Sequence, residues 1–162
     1  MDFQVRLGHI QEVPLVLPPK REKLKKDATD EQKEQYEKQF ALWTELHNVL
    51  GDIVIGVQHP TRKKLLEHTS SLDNVSRKLE LDLGRQPTGA ELIVATEDIK
   101  INFLRDVLLK VKGMTFNDEP GQAVLDRDPQ LFFETIGSEG LFDLFYQRVI
   151  GALTPSILQK KS

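Results

Sequence analysis

The chain has 162 residues, 39% hydrophobic and 29% charged, with 22 Lys and Arg against 25 Asp and Glu for a formal charge of -3. That length suits one domain with an ordinary core, and a slightly acidic balance gives no whole-protein attraction to nucleic acid or an anionic membrane. With no cysteine, the chain has no disulfide, thiolate metal ligand or cysteine nucleophile, which suits a reducing compartment.

From the start, Phe3, Val5 and Leu7 alternate with polar neighbours, as do Val13, Leu15 and Leu17 after Gly8 and His9. This pattern predicts a short hairpin or two edge strands, the second kept near an edge and then stopped by Pro14, Pro18 and Pro19. Asp2, Arg6, His9, Glu12 and Pro14 interrupt Met1 to Leu17, which leaves neither a signal-peptide core nor a membrane span. The expected location is the cytoplasm. Lys20, Arg21, Lys23, Lys25 and Lys26 follow as a basic run with the character of a solvated linker.

Thr29 with Gln32 forms a capping box, and Tyr36, Phe40, Trp43, His47 and Leu50 fall at helical spacing, which predicts a helix from Asp30 to Leu50. Gly51 ends it. The β-branched run Ile53, Val54, Ile55 and Val57 predicts a buried strand ending at His59 and Pro60. Thr61 can cap a helix striped by Leu65, Leu72, Val75, Leu79 and Leu83, with a break expected at Ser70 and Ser71. A second capping box, Thr88 with Glu91, opens a central helix carrying Leu92, Ile93, Ile99, Phe103, Val107 and Leu108 and running to Gly113. Met114 to Leu125, around the turn Asn117 to Gln122, reads as a small hairpin or ordered loop. Asp128 with Pro129 starts a short helix, and Ser138 can cap the last one, striped by Leu141, Leu144, Phe145, Val149 and Leu153.

The expected fold is therefore α+β and mostly α-helical, a small N-terminal β element followed by about five helices. The whole of 1–162 forms one domain, with the β element at 1–19, a charged linker at 20–29, the helical core at 30–153 and a tail at 154–162.

Reactive chemistry finds few anchors. The histidines His9, His47, His59 and His68 lack metal-ligand spacing. His47 shares the Trp43 face and reads as a packed or half-buried helix residue, while His59 is equally readable as a loop residue with a role of its own. Asp118, Glu119, Asp126 and Asp128 flank a Pro-Gly turn rather than alternating as calcium ligands do. No phosphate-binding glycine loop and no G-x-S-x-G elbow occurs. No catalytic residue, cofactor or metal is expected. An enzyme would require folding to bring His47, His59 or His68 beside Asp52 or Glu67 in a cleft with a shifted pKa. The basic run, with Arg62, Lys63 and Lys64, could meet phosphates, but the following helix mixes Lys33 and Lys38 with Glu31, Glu34 and Glu37, a salt-bridged face. Nucleic acid is thus disfavoured as a partner.

Aromatic residues crowd the end of the chain. Phe132, Phe133, Phe142, Phe145 and Tyr146 lie in two short helices, and neighbours such as Phe132 and Phe133 must diverge. Some belong to the core, and any exposed remainder would form a partner-binding patch.

From Val57 to Leu153 the chain resembles the small tail assembly chaperones of long-tailed bacteriophages. Three features carry the likeness: Val57-Gln58-His59-Pro60-Thr61-Arg62, the helix ending Leu109-Lys110-Val111-Lys112-Gly113-Met114 before an acidic turn with Gly121, and the closing short helices from Asp128. Where that family often has tryptophan before the turn, this chain has Lys112-Gly113-Met114, and Arg62 to Lys64 are more basic. The resemblance implies a cytoplasmic factor, absent from the virion, that keeps the long helical tape measure protein soluble until the tail tube polymerises around it. The same residues would also suit a small virion structural protein such as a tail-completion, connector or adaptor subunit, and homo-oligomerisation is open.

Overall fold

A computed structural model of the protein describes residues 9–17 and 27–154. Among these residues the chain runs β1 (Ile10–Pro14), α1 (Asp30–Leu50), β2 (Val54–Gln58), α2 (Arg62–Asp73), α3 (Val75–Leu83), α4 (Gly89–Val107), β3 (Leu108–Lys112), β4 (Thr115–Phe116), β5 (Glu119–Pro120), α5 (Gly121–Arg127), α6 (Pro129–Ser138) and α7 (Phe142–Leu153). The protein is α+β and mostly helical. Seven helices are described where about five were expected. Phe3, Val5, Leu7, the residues 18–26 with the basic run Lys20 to Lys26, and the tail from 155 lie outside the described residues.

Local chemistry explains most helix starts. Thr29 and Gln32 exchange side-chain and backbone bonds at 3.2 and 3.1 Å, as do Thr88 and Glu91, so two helices open with orphan N–H groups satisfied. Thr61 caps α2, and Asp128 caps α6 with Pro129 at the first position. α7 differs from its expected start. Ser138 is the last residue of α6 and donates its hydroxyl back to Glu134 O, so α7 begins after Leu141 without a side-chain cap. The break in the Thr61 helix falls at Asn74, whose carboxamide bonds Ser70 O at 2.9 Å, rather than at Ser70 and Ser71.

β2 is the centre of an antiparallel three-stranded sheet, pairing Val13 with Ile55 on one side and Ile55 with Val111 on the other. The predicted central helix therefore ends at Val107, six residues before Gly113. Leu108 and Val111 are buried on the sheet, and the free edge of β3 is closed by one side chain. Gln122 Oε1 accepts from Val111 N–H at 2.8 Å while its Nε2 donates to Leu109 O at 3.0 Å, a substitute for a fourth strand. Gly56 sits where a Cβ would lie 2.7 Å from Lys110 Cβ, so the sheet requires glycine there. Asn117 and Asp118, both at positive φ, form the two-residue turn between β4 and β5. Val124 and Leu125, expected in a hairpin or loop, are instead buried on helix α5.

The core lies between the sheet and the helices. α4 packs against α2, α3, α6, α7, β2 and β3 and contributes Ile101, Phe103, Leu104 and Val107. Leu15, fully buried beyond β1, is held from both sides: its N–H donates to Ile53 O, and Arg148 Nε donates to its carbonyl at 2.9 Å.

Candidate partner-binding groove

The aromatic residues proposed for partner binding are core residues. Phe132, Phe133 and Phe145 are at most 1% exposed and Phe142 is also buried. Divergence does not expose them. Phe132 meets Phe116 at 5.3 Å between ring centroids, Phe133 at 5.4 Å and Phe145 at 6.0 Å, because α5 and β4 cover one side of α6 and α7 the other. Tyr146 is half-buried, its hydroxyl hydrogen-bonded to His68 Nε2 at 2.7 Å. A patch of these five rings is therefore not available to a partner in this fold.

The apolar surface lies at the other end of the chain, on α1. Only Leu50 of this 21-residue helix is fully buried. Trp43 is half-buried between Phe40, tilted at 5.6 Å, and the His47 ring, stacked at 5.0 Å and 9°. His47 packs its ring on Trp43 as its place on that face suggests, but it is exposed rather than half-buried. Trp43 Nε1 is buried with no hydrogen-bond partner among the described residues. Beside this stripe runs a second one that the sequence reading passed over: Leu42, Leu46 and Val49, 58%, 38% and 80% exposed. At 3.6 residues per turn the two stripes make roughly half the circumference of α1 apolar.

Leu42, Leu46 and Val49 form one wall of a groove of about 800 Å³, faced by Met114, Phe116, Ile136 and Leu141 from the β3–β4 turn, β4, α6 and the turn before α7. Glu45 and Glu139 are its charged lining residues. Gly113 shapes the floor, since at φ +82° a Cβ would collide with the Asp52 carbonyl.

The histidines separate from one another. His59 Nε2 donates to Gln11 Oε1 at 2.9 Å at the exposed end of β2. His68 is buried against Phe103, ring on ring at 4.0 Å. Burial pushes its pKa below the usual 6.5, and nearby Lys100 lowers it further; no carboxylate contributes, although Glu67 shares its small cleft. The Arg85 guanidinium holds the Glu91 carboxyl down to about 2, helped by the Thr88 backbone, which secures the α4 cap. Lys64 pairs with Asp106 at 3.0 Å. Among the described residues no group of three or more His, Asp or Glu could hold a metal ion, and no helix is long and apolar enough to cross a membrane. No family model, curated protein or solved structure matches this chain.

Proposed function

We propose that this protein is a non-enzymatic assembly chaperone acting in the host cytoplasm, which binds the tape measure protein of a long-tailed bacteriophage before the tail tube polymerises. The observation that carries a protein-binding role is the apolar wall of α1, left open against the body of the fold. Contiguous exposed apolar surface of this kind marks interaction sites. The choice of partner rests on the resemblance over Val57 to Leu153, within which Leu108 to Lys112 is a strand and not the helix end that the likeness implied.

The energetics suit a factor that must let go. Covering the exposed parts of Leu42, Leu46 and Val49 stabilises a complex by a gross amount of about 4 kcal/mol, from which the loss of rigid-body freedom is subtracted. One such contact is weak and reversible, and a long partner is held by many copies. The test is a pull-down from the producing cell, using the tagged chain and a Leu46→Asp, Val49→Asp variant, with mass spectrometry on captured material and finished particles. Capture of one very long helical protein by the native chain alone, with the chain absent from particles, is the expected result. Its presence in finished particles would make it a structural subunit instead.

A further inference from the structure

We infer that the occupant of the α1 groove is an amphipathic helix of another protein whose apolar stripe is flanked by Lys or Arg. This deepens the reading of α1 as a docking surface and rests on it.

Shape selects a helix. One wall of the groove is itself a helix, and the strand that borders it, β4, is two residues long, too short to recruit an extended segment by strand addition. The groove wall from Leu42 to Leu50 spans about 12 Å at 1.5 Å per residue, a little over two turns of a partner helix. Leu42, Leu46 and Val49 present side chains at i, i+4 and i+7, the spacing that interdigitates with a second apolar stripe.

Charge selects the flanks. The two charged residues of the lining, Glu45 and Glu139, stand on opposite walls, one on α1 and one at the end of α6, and both are acidic and exposed. A helix seated between them meets a carboxylate on either side of its apolar stripe, so cationic flanks are attracted and anionic flanks repelled. A second copy of α1 fits this rim poorly. α1 carries Asp30, Glu31, Glu34, Glu37 and Glu45 against Lys33 and Lys38, so self-association would set a net-negative helix against an acidic groove.

The probes are two synthetic amphipathic helical peptides of about 18 residues with the same leucine stripe, one flanked by lysine and one by glutamate, followed by fluorescence anisotropy with the full chain. The lysine peptide is expected to bind about tenfold tighter, with an advantage that shrinks as salt is raised. An E45K, E139K double variant should reverse the preference, and L46D should lose both peptides while keeping its circular dichroism spectrum. Equal binding of the two peptides, abolished by L46D, would overturn the charge rule and leave α1 as a docking surface. Binding of neither peptide, or binding indifferent to L46D, would overturn both. A dimer in sedimentation experiments that L46D dissolves would identify a second copy as the occupant and overturn the inference.

Discussion

Phe145→Ala tests the assignment of the C-terminal rings to the core. Phe145 is fully buried on α7 and meets Phe132 edge-to-face, with ring centroids 6.0 Å apart and planes at 80°. Removing a buried phenylalanine costs about 3–5 kcal/mol, and an aromatic pair adds about 1 kcal/mol beyond its area. A loss of about 4 kcal/mol is expected, a large share of the roughly 5–15 kcal/mol that holds a domain together. At roughly 2–4 °C per kcal/mol for a chain of this size, the melting temperature should fall by about 8–16 °C. Urea denaturation followed by Trp43 fluorescence and by far-ultraviolet circular dichroism should give a lower midpoint with an unchanged slope. Leu46→Asp, on the open groove wall, should stay within about 0.5 kcal/mol of the native chain in the same assay. If Phe145→Ala cost under about 1 kcal/mol while abolishing capture of the partner, the ring would be a contact residue and the core assignment would be wrong.

Gly113→Ala should destabilise the fold by more than about 2 kcal/mol, since it combines a left-handed backbone with a collision against Asp52 O; a near-neutral melting curve would contradict the tight turn after β3. His68 gives a pH signature. Its folded pKa lies below its ordinary value of 6.5, so unfolding takes up a proton below that pH: its contribution is intact above 6.5 and lost as pH falls through the folded value. Urea midpoints of the native chain should therefore drop between about pH 7 and pH 5 more steeply than those of a His68→Gln variant, and parallel profiles would remove His68 as the cause.

What the sequence determined by itself is the set of features that a few neighbouring residues settle. Thr29 with Gln32, Thr88 with Glu91, and Asp128 with Pro129 place helix starts through bonds spanning three residues, the β-branched run at 53–57 marks a strand, and the alternation after His9 marks another, although β1 ends at Pro14, short of Leu15 and Leu17. These signals sufficed for the α+β, mostly helical class. Tertiary structure decided the rest. Leu108 to Lys112 carries helix-compatible residues, yet pairing with β2 and the distant Gln122 carboxamide make it a strand. The burial of both Phe132 and Phe133 depends on α6 being covered from two sides, which no local pattern encodes. The groove was half legible. Leu42, Leu46 and Val49 can be read from the sequence as a second apolar stripe, but only the packing of Trp43 and Leu50 against the body decides which part of α1 is spent on the core and which part is left open. Caps and turns are short-range hydrogen bonds written into adjacent residues, whereas burial is a property of what the rest of the chain brings alongside.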